Sequence, residues 1–162
     1  RFSLGEPEGS ESDRLKFISD ILKRAGFRAP IQKNIRDEIW LKLIGNLSFN
    51  PISALTGATL EQICNDQGTE AIVRAMMTEA KIIAEELGAK INMSIEKRIE
   101  GARKVGAHKT SMLQDIEAGK PIEIDSIIIA VKELGELTCS PTPYIDTILN
   151  LTLQKAKLIG CL

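Results

Sequence analysis

The 162-residue chain is 43% apolar and 27% charged, with a formal charge of −1, the make-up of one globular domain with a sizeable core. Without a basic excess it has nothing to neutralise nucleic-acid phosphates or an anionic membrane surface, and no apolar run approaches the ~18 residues of a membrane span. Cys64, Cys139, Cys161 and the single His108 lack metal-ligand spacing, so we expect no metal and three reduced thiols in a cytoplasmic protein. The chain opens at Arg1 with neither an initiator Met nor a signal-peptide pattern and reads as a fragment of something longer.

Arg1 to Leu4 reads as a short strand, followed by the turn-rich Gly5-Glu6-Pro7-Glu8-Gly9, whose spacing is not that of a phosphate-cradling glycine motif. Ser12 caps a first helix with Leu15, Ile18, Ile21, Leu22 and Ala25 on one face and Gly26 as its stop. Ala29 to Gln32 is extended, so residues 1–33 form a strand-helix-strand piece too small to hold a sheet alone. From Asn34 the character becomes helical. The first of these helices spans Ile35 to Asn50 and stops at Pro51. A short helix follows Thr59, and a long one runs from Thr69 to Leu87. Others cover Ser94 to Val105, Lys109 to Ala118 and Ile124 to Leu137. The last begins with Thr142 as N-cap and Pro143 at the first helical position, and continues to Ile159. The fold expected is mainly α, a helical domain over 34–162 behind a β-containing remnant over 1–33.

The most informative stretch is EIWLKLIGNLSFNP, Glu38 to Pro51. Lys42, Asn46 and Asn50 recur at i, i+4 and i+8 and form one polar stripe. The rest of the helix is apolar nearly all round, which argues for burial, and Lys42 is the lone charge between Ile39 and Leu60. Such polar groups need partners, since leaving them unpaired in an apolar setting is costly; the bland alternative is a lysine reaching solvent and amides satisfying loops. Glu79 lies on the core-facing stripe with Ile72, Ala75, Met76, Ile82 and Ile83, which makes it a candidate partner for Lys42. In KTSMLQDIEAGKPIEID, Lys109 to Asp125, Ser111 sits near a helix start and Glu123 just before the next apolar helix, where an acid is also favoured by the dipole alone.

These two long motifs, together with LGEPEG at residues 4–9 and AGF at residues 25–27, resemble the ketopantoate reductase (2-dehydropantoate 2-reductase) family across essentially the whole chain. The resemblance implies a helical C-terminal domain of the 6-phosphogluconate-dehydrogenase-like type, preceded by the end of a Rossmann domain. It also implies NADPH as cofactor, bound mainly by an N-terminal domain that this chain does not include. On it, Lys42 matches the general acid and Glu123 a glutamate that bonds substrate and assists catalysis. Asn46 and Asn50 match substrate-contacting asparagines, and Ser111 a serine that binds the substrate carboxylate. Where some members carry a further asparagine, this chain reads Gly57-Ala58-Thr59-Leu60, which admits a 2-keto acid other than ketopantoate. The residue types suit the reaction, because a nearby ammonium stabilises charge growing on a keto oxygen and can donate a proton. Burial and a neighbouring carboxylate pull a lysine's proton affinity in opposite directions. The fragment alone is expected to be inactive, and apolar surface left uncovered makes a homodimer a further expectation. Two rival readings stand beside this one: a non-catalytic helical dimerisation or interaction module, and another two-domain dehydrogenase of the 3-hydroxy acid type.

Overall fold

A computed structural model describes residues 1–162. The chain divides into two compact units, Arg1–Lys42 and Leu43–Leu162. The change of character read at residue 34 therefore falls inside the first unit, and the break itself lies within a helix.

In the first unit the amides of Phe2 and Leu4 donate to the carbonyls of Arg28 (2.7 Å) and Pro30 (3.0 Å), and the amide of Gln32 donates back to Leu4 (2.7 Å). Leu4 and Ile31 form a parallel bridge. The chain crosses between these two extended segments through helix α1, Asp13–Arg24. Ser12 caps α1 as expected, accepting from the Leu15 amide. Glu6, ahead of it, is buried and accepts from the Ser12 hydroxyl and from Arg14. Gly5 and Gly9 allow close chain packing: a Cβ would stand 2.6 Å from that of Ile35 at Gly5 and 2.8 Å from the Lys33 carbonyl at Gly9.

Helix α2, Ile35–Thr56, starts in the first unit and ends in the second. It does not stop at Pro51. Proline removes the amide that would bond the Leu47 carbonyl and costs about 3 kcal/mol inside a helix. Ile52, Ser53 and Ala54 beyond it are all buried, and burial of that turn outweighs the break. The C-terminal carbonyls are satisfied from outside, because Lys155 Nζ donates to Ala54 (2.5 Å) and Leu55 (3.1 Å).

The second unit continues with α3, Leu60–Asn65, and α4, Gln67–Glu86, then α5, Ile95–Val105, and α6, Ser111–Glu117. A π-helical turn, Asp125–Ile129, leads into α7, Ala130–Leu137, and α8, Pro143–Ile159, closes the chain. Helix α4 lies at the centre and packs on α3, α5, α7 and α8. Its Val73, Met76, Met77, Ala80, Ile83 and Ala84 are all fully buried, each large one worth roughly 1.5–3 kcal/mol. The long helix starts at Gln67 rather than Thr69 because Asp66 accepts the Thr69 amide at 2.8 Å. The single helix expected from Ile124 to Leu137 is instead the π turn followed by α7; the Ala130 amide bonds Asp125 five residues back. No helix is long and apolar enough to cross a membrane.

Candidate functional site

Helix α2 carries Lys42, Asn46 and Asn50 in one line, as the spacing predicts. Their exposure is graded along that line: Lys42 is exposed, Asn46 half-buried and Asn50 buried at 5%. The sequence reading of a helix covered nearly all round is corrected here, since Ile39 is 55% exposed and Lys42 forms no ion pair within the chain. Trp40, Ile44 and Leu47 turn the opposite face inward and anchor the helix. Asn50 Nδ2 is buried without a hydrogen-bond partner. A buried amide donor left unmade costs about 1–3 kcal/mol and calls for an explanation such as a ligand.

Ser111 is the first residue of α6, capped by the Thr110 hydroxyl accepting from the Leu113 amide. The cap is thus Thr110, which leaves the exposed Ser111 hydroxyl uncommitted. Glu123 is exposed in the segment between α6 and the π turn. It is held there by its neighbours: the Ile122 amide donates to Cys161 (3.0 Å), and Ile122 and Ile124 are buried. A π turn is rare and frequent at functional sites; this one sits directly behind Glu123. No hydrogen bond joins Asn46 or Asn50 to Ser111 or Glu123.

Glu79 has a different role from the one expected. Its carboxylate accepts from the backbone amides of Tyr144 (2.9 Å) and Ile145 (2.9 Å), the first turn of α8. Glu79 is buried, forms no ion pair with a lysine, and its carboxyl oxygens satisfy helix-end amides at the positive end of the dipole. The same contact corrects the reading of Thr142. That residue makes no side-chain cap bond, and its hydroxyl contacts Asp146 instead.

One residue pair escaped the sequence reading. The Arg98 guanidinium of α5 lies against Gly45 of α2, where a Cβ would stand 2.1 Å from Nη2 and 2.7 Å from Cζ and Nε. Arg98 Nε is buried without a partner, and burial pushes the Arg98 pKa down from its ordinary value. The visible signal was a glycine in mid-helix, which costs about 1 kcal/mol against alanine and marks a close approach. By contrast Arg74, beside a 510 Å³ groove with Gln67, Glu70, Ala71 and Ala75, is already paired with Glu70 and Glu96.

Comparison with known proteins gives a consistent result. Residues 34–156 match the family model described as ketopantoate reductase PanE/ApbA C terminal. A 2-dehydropantoate 2-reductase of Mesorhizobium japonicum is 53% identical over 99% of this chain and 49% of its own length. A solved Ralstonia solanacearum protein, described as a candidate ketopantoate reductase, superposes with a TM-score of 0.94 at 42% identity, covering 99% of this chain and 49% of that one. The 2-dehydropantoate 2-reductase of Methylococcus capsulatus gives 0.90 at 31% identity, over 98% and 51%. The chain spans about half the length of the curated relatives it matches.

Proposed function

This chain belongs to the family of ketopantoate reductase C-terminal domains, and from that premise we propose that it is the substrate-binding and proton-donating half of an NADPH-dependent reductase of 2-dehydropantoate or a similar 2-keto acid. The observation that carries the reading is the α2 stripe: an exposed ammonium at Lys42, then Asn46, then a buried Asn50 whose Nδ2 has no partner. A row of donors ending in an unsatisfied amide suits an oxygen-rich small molecule, because binding supplies the bond the protein leaves unmade.

The chain's own residues do not fit the nucleotide. Gly5 and Gly9 are filled by chain packing, and Glu6 between them is a buried carboxylate engaged with Ser12 and Arg14, a poor neighbour for phosphates. In this reading the nicotinamide nucleotide is held by residues outside these 162 and supplies the hydride. The chain's residues do the rest. Lys42 stabilises the negative charge that develops on the keto oxygen and delivers the proton to it. Asn46 and Asn50 orient the substrate without adding charge, Ser111 offers a hydroxyl to the substrate carboxylate, and Glu123 accepts from a substrate hydroxyl. Glu79 takes no part.

The test follows NADPH oxidation by the full-length protein that contains this chain, with ketopantoate and a panel of other 2-keto acids. Lys42→Ala is expected to lower kcat by a factor on the order of 10² or more, with melting little changed because the side chain is exposed. Retention of kcat in that variant would remove Lys42 from the chemistry. Absence of turnover on every keto acid by the folded wild type would favour the non-catalytic helical module.

A further inference from the structure

The second unit contains three arginines, Arg74, Arg98 and Arg103. Arg74 pairs with Glu70 and Glu96, and Arg103 with Glu70 and Glu100. Arg98 pairs with no carboxylate, although it is half-buried and its Nε is cut off from water. A half-buried cation without an acid is a costly arrangement, and an incoming anion would relieve that cost. The location narrows what that is. The guanidinium lies over Gly45, the residue before Asn46, and any side chain at 45 would occupy its place. Gly45 belongs to the same helix as Asn46 and Asn50, so the guanidinium is seated on the helix that carries the proposed substrate amides.

We propose that Arg98 recognises the carboxylate of the 2-keto acid substrate, with the Gly45 gap in α2 seating its guanidinium against that helix. The assignment rests on the functional reading given above. A guanidinium is flat, carries its donors in a fork and matches a carboxylate with two parallel bonds. Seated on a helix backbone it has lost much of its freedom before the ligand arrives, so little ordering remains to be done on binding. Arg98 thus adds to the Ser111 hydroxyl the charge that selects an acid over its neutral derivatives, whereas Lys42 acts on the keto oxygen.

The experiment uses the full-length protein, a 2-keto acid and the uncharged methyl ester of the same acid. Arg98→Gln is expected to raise KM for the acid on the order of 10- to 100-fold and to leave KM for the ester unchanged, with kcat for both close to wild type. Arg98→Lys should recover part of the loss, having the charge but not the fork. Gly45→Ala keeps the arginine but puts a methyl where it lies, and should reproduce the acid-selective loss. Melting of Arg98→Gln should match or exceed wild type, since the change removes an unpaired buried charge; it separates a folding defect from a binding one. Equal losses for acid and ester, or none for either, overturn the assignment. A loss confined to KM for NADPH also overturns it, and gives the arginine to a cofactor phosphate. If the wild type reduces no keto acid, the functional reading has failed, and calorimetric titration with pyruvate still tests Arg98. Binding abolished by Arg98→Gln keeps the carboxylate site, and heats that are identical in both proteins, or absent from both, overturn it.

Discussion

The two units of the chain are held together in different ways. In Leu43–Leu162 stability is built on apolar burial: Leu47, Ile63, Met76, Met77, Ile83, Ile128 and Ile145 are at most 1% exposed. Polar groups there complete what packing leaves open, as Glu79 does for α8 and Lys155 for α2. In Arg1–Lys42 the balance is reversed. Leu15, Ala29 and Trp40 are buried, but Phe2, Phe17, Ile18, Ile21, Phe27 and Ile39 stand 41–67% exposed. What fixes this unit is a polar staple from Glu6 to Ser12 and Arg14, together with a short parallel ladder. The difference follows from size: a piece of about 40 residues buries too small a share of its surface to rely on a core.

In the second unit the most sensitive polar contact is that of Glu79. Glu79→Ala strips two charge-assisted bonds from the α8 amides and is expected to cost roughly 2–4 kcal/mol in denaturant unfolding. A loss below about 1 kcal/mol, joined to a loss of turnover in the full-length protein, would return Glu79 to the lysine-partner role read from sequence. A smaller effect is expected from acid, and in the first unit only. Hydrogen bonds from Ser12 and then Arg14 hold the Glu6 carboxyl below its ordinary value. A group depressed in the folded state contributes its stability above the unfolded value and loses it as pH falls through the folded one. Trp40 is the single tryptophan, is 8% exposed and belongs to this unit. Its fluorescence should therefore redden on acidification before far-ultraviolet ellipticity, dominated by the second unit's helices, declines. Glu6→Gln should abolish that early step; coincident transitions would show that the staple is not what holds the unit. The smallest effect is expected at Phe17, 67% exposed. Phe17→Ser should shift unfolding by no more than about 0.5 kcal/mol, and a larger cost would mean that this face is covered in solution.

Much of the fold and the alignment of the candidate-site stripe on α2 were legible in the sequence, and the division has a consistent cause. Helices were readable wherever a local signal fixed them: Ser12, Thr59, Ser94 and Asp66 each cap a helix with their own side chain. Of these, Asp66 went unnoticed and cost two residues at the start of α4. The polar stripe of α2 was readable because Lys42, Asn46 and Asn50 need only the period of one helix to align them. Family membership was readable from two long motifs, each many residues deep. Pro51, Thr142, Glu79 and Arg98 were not readable, and all four share one feature. Proline at 51 is a helix stop by local rule, yet the turn beyond it is buried; threonine at 142 is a cap by local rule, yet the cap arrives from Glu79, 65 residues away along the chain. Glu79 was correctly placed facing inward, but the core it faces contains the end of another helix rather than a lysine.

Local sequence carries the helical periodicities, the stripe that lines up the proposed catalytic lysine with two amides, and the family to which the chain belongs. Those depend on residues a few positions apart, where backbone geometry dictates the spacing. Which buried charges are satisfied, and by what, is settled by long-range packing, because it depends on which distant helix ends and side chains are brought together. That packing gave Glu79 the amides of α8, and it left Arg98 beside Gly45 with no acid at all.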